Sequence, residues 1–142
     1  MAKLPDKPSE LIELALKDLA SVERSKAYKV DMGTWHSPAK YDGPCSVCLA
    51  GAVMARTLRM PRDEEHSPWL HGTRKMGSET VRKLIALDYF RSGDVRFALN
   101  NCKLTRPANL PGGVRVTPYS SNRRAFKTDM RRLARRLRAV GL

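Results

Sequence analysis

The stretch PCSVCLAGAVMARTL, residues Pro44–Leu58, is the most apolar part of the chain and decides how we expect it to fold. Arg56 is its only charged residue. Pro44 suits the first turn of a helix, and a helix that is apolar on every side must be buried. A glycine inside a helix costs about 1 kcal/mol relative to alanine, so Gly51 indicates a close contact with another element. The stretch therefore predicts a buried central helix.

Amphipathic patterns on both sides of this stretch predict the other helices. Apolar residues recur at helical spacing after Ser9, a suitable N-cap, and again after Ser78. Residues 103–121 are rich in proline and glycine, which excludes a long helix there. The predicted helices cover residues 9–24, 44–58, 79–91, 95–99 and 122–140.

Short alternating patterns predict little β-structure. Tyr28–Met32 alternates between apolar and charged residues, and Val114–Thr117 also alternates, so the two segments are candidates to pair. The expected fold is mainly α: a compact bundle of four to five helices around the buried helix 44–58, with at most a small two-stranded sheet. The 142 residues fit a single domain, 1–142. Its expected parts are a helical core (9–102), a Pro/Gly-rich connection (103–121) and a C-terminal helix (122–140).

Composition points to a basic cytoplasmic protein. Lysine and arginine number 27 against 14 acidic residues, giving a formal charge of +13 and a pI near 10.2. Such an imbalance favours a polyanionic partner. The sequence shows no secretory signal and no apolar run of the roughly 18 residues that would span a bilayer. Three cysteines do not form a disulfide framework, and we expect a reduced compartment.

The C-terminal helix carries much of this charge on one side. Residues 123–138 hold eight basic residues and one acidic residue, Asp129, whereas the apolar residues from Phe126 to Val140 form one narrow stripe. Arginine predominates, and its planar guanidinium grips phosphates and carboxylates through two hydrogen bonds. The predicted polyanion-binding residues are Arg123, Arg124, Lys127, Arg131, Arg132, Arg135, Arg136 and Arg138.

Nucleic acid is the favoured partner of this basic helix, as either DNA or RNA. The sequence has no helix-turn-helix, zinc-finger or RNP signature, and no aromatic residues are interleaved with the arginines. Contact with the phosphate backbone, with strong salt dependence and weak sequence preference, is therefore expected. An acidic surface of a host protein is the alternative partner, and a merely solvated basic face is the simplest interpretation of the charge.

The Trp-His and Cys-x-x-Cys residues of Trp35–Cys48 leave several interpretations open. Zinc binding is one, although no second ligand pair has standard spacing. Redox chemistry at Cys45, or nucleophilic catalysis with His36 as base, are others. The simplest is that Cys45 and Cys48 pack as small hydrophobic residues. The candidate metal ligands are His36, Cys45, Cys48 and Cys102, with His66 and His71 as further donors.

Three segments resemble small proteins encoded by tailed bacteriophages: VDMGTWH (Val30–His36), CSVCLAGAVMARTL (Cys45–Leu58) and KLIALDYFRSGDV (Lys83–Val95). The resemblance covers about Leu11 to Leu99 and excludes the basic helix. It implies a phage protein that acts in the cytoplasm of a bacterial host, on nucleic acid or on a host machine. That group has no established activity, so the resemblance assigns no functional residue.

Taken together, these patterns predict a non-enzymatic phage accessory protein. We expect it to bind nucleic acid or a ribonucleoprotein through its arginine-rich C-terminal helix, without a cofactor and without a membrane partner. The second hypothesis is an inhibitor or modulator of a bacterial host or anti-phage defence complex. The third is an enzyme that depends on zinc or on a thiol.

Overall fold

The computed structural model describes residues 2–38, 43–67, 76–102 and 114–142. Within these ranges it contains five helices and one three-stranded mixed sheet, so the prediction of a mainly helical fold is confirmed. The elements are α1 (Pro8–Glu23), β1 (Tyr28–Val30), β2 (His36–Ser37), β3 (Cys45–Val47), α2 (Leu49–Arg56), α3 (Ser78–Arg91), α4 (Val95–Asn101) and α5 (Arg123–Ala139). No helix in the described part of the chain is long and apolar enough to cross a membrane.

Helix α2 lies at the centre of the fold, as its sequence predicts. Every residue from Leu49 to Ala55 is buried. Helices α1 and α3 and strands β2 and β3 pack against it. A Cβ atom added at Gly51 would lie 1.7 Å from the backbone oxygen of Trp35. The close contact expected at this glycine is therefore confirmed.

The predicted start of the central helix at Pro44 is wrong. Cys45–Val47 is β3, the middle strand of the sheet, and α2 begins only at Leu49. The strand pairs in parallel with β1 and antiparallel with β2, so hydrogen bonds on both sides satisfy its backbone. A short, wholly apolar run has no periodicity that separates a buried strand from a buried helix. Cys48 is the N-cap of α2, and its Sγ accepts a hydrogen bond from the amide of Gly51 at 3.3 Å.

The sheet has three strands in the order β1-β3-β2, where at most two were expected. The predicted pairing of Tyr28–Met32 with Val114–Thr117 is also wrong. Strand β3 lies along one edge of β1, and the amide of Asp31 extends this pairing by donating to the carbonyl of Val47 at 2.8 Å, whereas residues 114–117 form no strand. The amide of Thr117 instead donates to the Asp129 carboxylate of α5 at 2.8 Å.

The ends of the outer helices follow the sequence closely, except at the starts of α1 and α3. Ser78, the predicted N-cap of α3, is instead its first residue, and Gly77 is the N-cap. Asn122 caps α5 by accepting from the amide of Ala125, and Gly141 ends it at a φ of +84°. Asp94 caps α4 in the same way. Ser9, however, is not the N-cap of α1, because the helix begins at Pro8; the Ser9 hydroxyl donates instead to the carbonyl of Leu142 at 2.8 Å. Residues 103–113 of the predicted connection lie outside the described residues.

Candidate functional site

Helix α5 divides cleanly into a buried face and a basic face. Its apolar stripe packs against α1. Its basic residues are exposed, apart from Lys127, which is half-buried. The buried residues of the helix are Phe126, Met130, Leu133, Ala134 and Leu137.

Part of the basic face is used to hold the protein together. Lys127 forms an ion pair with Glu23 of α1, and Arg138 forms one with Glu13 of α1 at 2.5 Å. Both pairs join the last described helix to the first. We therefore assign Lys127 and Arg138 a role in docking α5, which the sequence alone did not separate from the other cations.

Two further cations of the predicted set have neighbours close in sequence. Arg132 lies 3.7 Å from the Asp129 carboxylate one turn earlier in the helix. The guanidinium of Arg123 lies over the ring of Tyr119, 5.2 Å from its centroid. Both arginines remain exposed, so these contacts orient the side chains without removing them from solvent.

The remaining arginines of the set, Arg124, Arg131, Arg135 and Arg136, are exposed, and none has an acidic partner within the described ranges. Three of them share one side of the helix, because positions separated by seven and four residues lie nearly above one another. We call Arg124, Arg131 and Arg135 the arginine row. At a rise of about 1.5 Å per residue the row is about 16 Å long.

A groove between α1 and α5 adjoins the arginine row. It has a volume of about 370 Å³. Lys17 of α1 is exposed and lines this groove beside Arg131 and Arg135. Sequence analysis missed Lys17 because its position beside the arginines depends on how α1 and α5 pack, which no local pattern reveals.

Glu23 is the main polar anchor beneath the basic face. Its carboxylate accepts a hydrogen bond from the Tyr119 hydroxyl at 2.6 Å as well as the bond from Lys127. Burial acts to raise the pKa of Glu23, but the hydrogen bonds from Lys127 and Tyr119 outweigh it, and the pKa is lowered. Glu23 therefore stays ionised and fixes the N-terminal half of α5 on α1.

The cysteines do not form a three-ligand metal site with His36, which was one of the interpretations left open by the sequence. Among the described residues, no three histidine, cysteine or acidic side chains come together as a metal-binding group. The thiol of Cys45 donates to the carbonyl of Arg62 at 3.4 Å. Cys102 lies at the end of α4, beside Lys83. His71 lies outside the described residues.

Burial also acts against thiolate chemistry at two of the cysteines. It raises the pKa of Cys48 to about 11, although the amide of Gly51 opposes the shift. It likewise raises the pKa of Cys102 to about 11, against the opposing charge of Lys83. A nucleophilic or redox-active cysteine needs the opposite shift. The geometry around Cys48 favours its interpretation as a packing residue and helix cap.

His36 is instead paired with His66. The two residues exchange backbone hydrogen bonds of 3.1 and 2.9 Å, and their rings are 5.0 Å apart, centroid to centroid. Burial, reinforced by the neighbouring His66, lowers the pKa of His36, while a hydrogen bond to the carbonyl of Glu64 opposes the shift. The sequence offered His66 only as one of several further donors, since nothing in its surroundings predicts an isolated bridge to β2.

Comparison with known proteins finds no matching family model, no matching curated protein and no matching solved structure. The resemblance of Val30–His36, Cys45–Leu58 and Lys83–Val95 to tailed-phage proteins therefore stays a prediction. A function for this chain has to be argued from the arrangement of its own side chains.

Proposed function

We propose that this protein is a non-enzymatic nucleic-acid-binding protein that holds the phosphate backbone with the basic face of α5. One observation carries the proposal. The arginine row is exposed and has no acidic partner among the described residues, whereas Lys127 and Arg138 on the flank facing α1 are paired. Folding thus uses the two cations that pair with acidic residues of α1 and leaves the arginine row available for a partner.

The dimensions of the arginine row suit a phosphate backbone. Each strand of a duplex carries one negative charge per about 3.4 Å of the axis, so a row about 16 Å long faces several phosphates of one strand. Each guanidinium can donate two hydrogen bonds to a phosphate. Arg131 and Arg135, four residues apart, repel each other in the free protein, and a polyanion would relieve that repulsion.

The composition of the row predicts backbone recognition without base stacking. The arginine row and Lys17 offer charge and hydrogen-bond donors but no aromatic ring on which a base could stack. Binding should therefore weaken steeply with salt and depend little on sequence. The resemblance to phage proteins supports the bacterial cytoplasm as the place where the protein acts.

The test is fluorescence anisotropy with duplex DNA, single-stranded DNA and RNA of equal length, at several salt concentrations. The variant Arg124→Glu/Arg131→Glu/Arg135→Glu should bind its best nucleic acid at least about tenfold more weakly. Removing three phosphate contacts should also reduce the slope of log K against log salt by about 2 to 3.

A charge-matched control separates a specific face from general basicity. Lys7→Glu/Lys26→Glu/Arg96→Glu changes the net charge by the same amount at exposed positions outside α5. This control should retain most of the affinity. Equal losses in the two variants, or no salt-dependent binding by the wild type, would reject the proposal. In the second case, an acidic host protein becomes the partner to test next.

A further inference from the structure

His36 of β2 and His66, which belongs to no strand, form an isolated antiparallel bridge in the interior of the protein. Residues that exchange both backbone hydrogen bonds lie directly opposite each other, with their side chains on the same face. The side chains are almost wholly removed from solvent, since His36 is 0% and His66 2% exposed. A histidine pair of this kind is costly unless its ring nitrogens are satisfied.

One nitrogen of each ring is satisfied by a backbone carbonyl. Nδ1 of His36 lies 3.2 Å from the carbonyl oxygen of Glu64, and Nε2 of His66 lies 3.1 Å from that of Pro61. A carbonyl oxygen only accepts hydrogen bonds, so both of these nitrogens carry the proton. In the neutral rings, Nε2 of His36 and Nδ1 of His66 are therefore the unprotonated nitrogens.

These two unprotonated nitrogens have no hydrogen-bond partner, although both are buried. We propose that His36 Nε2 and His66 Nδ1 bind a divalent transition-metal ion of the zinc class. An imidazole that donates its other N–H to a backbone carbonyl is the usual arrangement of a metal-binding histidine, because the hydrogen bond fixes the tautomer and the ring orientation. Neutral imidazole is a preferred ligand of zinc, copper and nickel.

The separation of the rings fits an ion between them. Zinc lies about 2.0 to 2.1 Å from an imidazole nitrogen, and the ring centroid is about 1.2 Å further away. Two rings that bind one ion at a tetrahedral angle therefore have centroids about 5.2 Å apart. The observed separation is 5.0 Å.

The surroundings limit the affinity of this site. Within the described ranges no third protein ligand joins the two histidines, so water must fill the other positions. A cavity of about 290 Å³, lined by segments 33–37 and 65–67, adjoins the pair. The guanidinium group of Arg62, which lies over the Tyr28 ring and acts electrostatically on His36, opposes a further positive charge at the pair. We therefore expect weaker zinc binding than at a structural site with four protein ligands.

Calorimetric titration of the full chain with zinc chloride tests the site. The wild type should bind one equivalent. His36→Asn and His66→Gln each place an amide donor where the satisfied ring nitrogen was but lack the free nitrogen, so each should bind at least about tenfold more weakly while keeping a native circular-dichroism spectrum. No zinc binding by the wild type, or wild-type binding by both folded variants, would overturn the inference.

Cobalt(II) distinguishes the two histidines from the cysteines. A site made of imidazole and water should give only weak ligand-field absorption, and Cys45→Ser should leave zinc binding unchanged. A sulfur-to-cobalt charge-transfer band, or loss of zinc binding in Cys45→Ser, would assign the metal to a thiolate and reject the histidine site. These readouts do not involve nucleic acid, so they are independent of the proposed function.

Discussion

Helices α2 and α5 both supply apolar residues to the core but differ in how much of their surface stays exposed after folding. All residues of α2 from Leu49 to Ala55 are buried, so its surface is fully occupied by contacts within the protein. Helix α5 buries only a stripe and exposes the arginine row on its outer side. The difference locates the two roles: substitutions in α2 should act on stability, and outer substitutions in α5 should act on binding.

Gly51→Ala should have the largest effect on stability. Alanine favours a helix by about 1 kcal/mol, but its Cβ would lie 1.7 Å from the backbone oxygen of Trp35, so α2 and the segment before β2 must separate. We expect a loss of more than about 3 kcal/mol in the free energy of unfolding, measured by urea denaturation. Gly33→Ala is the control, because its Cβ would meet only the Asp31 carboxylate at 3.3 Å. Equal stability of the two variants would contradict the close approach at α2.

Leu133→Ala tests whether the inner face of α5 resembles α2. Leu133 is 0% exposed in the core. Truncating a buried leucine typically costs about 2 to 5 kcal/mol, through lost burial and the cavity left behind. Urea denaturation should show a loss in this range. A loss below about 1 kcal/mol would mean that α5 is docked loosely and that its arginines are not held in a fixed row.

Glu23→Gln should have a smaller effect on the free energy of unfolding. Glu23 pairs with Lys127, which lies between the buried and the basic face of α5. The amide oxygen can still accept from Tyr119, but the charge opposite Lys127 is lost, and we expect a cost of about 1 to 2 kcal/mol. Burial, the hydrogen bond to Glu23 and the charge of Glu23 all raise the pKa of Tyr119. The variant loses the charge, so spectrophotometric titration should show a lower tyrosine pKa. Glu13→Gln is the matched control, because the Glu13–Arg138 pair is exposed and should contribute less than about 0.5 kcal/mol.

Acid should lower the free energy of unfolding through His36, which lies in the buried part of the molecule. Its pKa is lowered below 6.5 in the folded protein, so the unfolded chain takes up a proton at a pH where the folded protein does not. The stability that depends on neutral His36 is fully present above pH 6.5. It declines as the pH falls towards the lowered pKa of His36 in the folded protein. Urea denaturation at pH 7.5 and 5.5, with a chelator present, should show the decline in the wild type and a smaller one in His36→Asn. Identical declines would contradict the lowered pKa.

The smallest effect on stability is expected at the arginine row. Arg124→Glu/Arg131→Glu/Arg135→Glu alters exposed side chains without acidic partners in the described part of the chain, and such changes usually stay within about 0.5 kcal/mol per site. Arg131→Glu and Arg135→Glu together exchange one pair of like charges for another, so the repulsion between these two positions stays about the same. Thermal denaturation should therefore show little change although nucleic-acid affinity falls. A large loss of stability would mean that the outer arginines serve folding.

The outer helices could be predicted from the sequence because each combines a periodic apolar face with a clear end. For α5 the apolar stripe, the Asn122 cap and the stop at Gly141 agree with one another, and the structure follows all three. For Cys45–Val47 no such agreement exists. A buried strand and a buried helix look alike in a short apolar run, and only pairing with β1 and β2 decides between them.

The histidine pair was beyond sequence reasoning for a related reason. His66 joins His36 through a single bridge that belongs to no strand, so neither alternation nor spacing indicates it. The position of Lys17 beside Arg131 depends in the same way on helix packing. The arginines of α5 could be predicted because one helix holds them all, although the division between paired and unpaired cations requires the acids of α1.

The docking of α5 on α1 has a consequence for synthesis. The two helices are joined by contacts such as Glu13–Arg138 and Ser9–Leu142, which span most of the chain. Closing a loop on the order of 100 residues costs about 4 kcal/mol in chain entropy, and the contacts that offset this cost form only afterwards. While the ribosome makes the intervening residues, α5 does not yet bury the side of α1 against which it will pack. The protein completes its core only when its most basic segment leaves the ribosome, whose RNA is itself a polyanion.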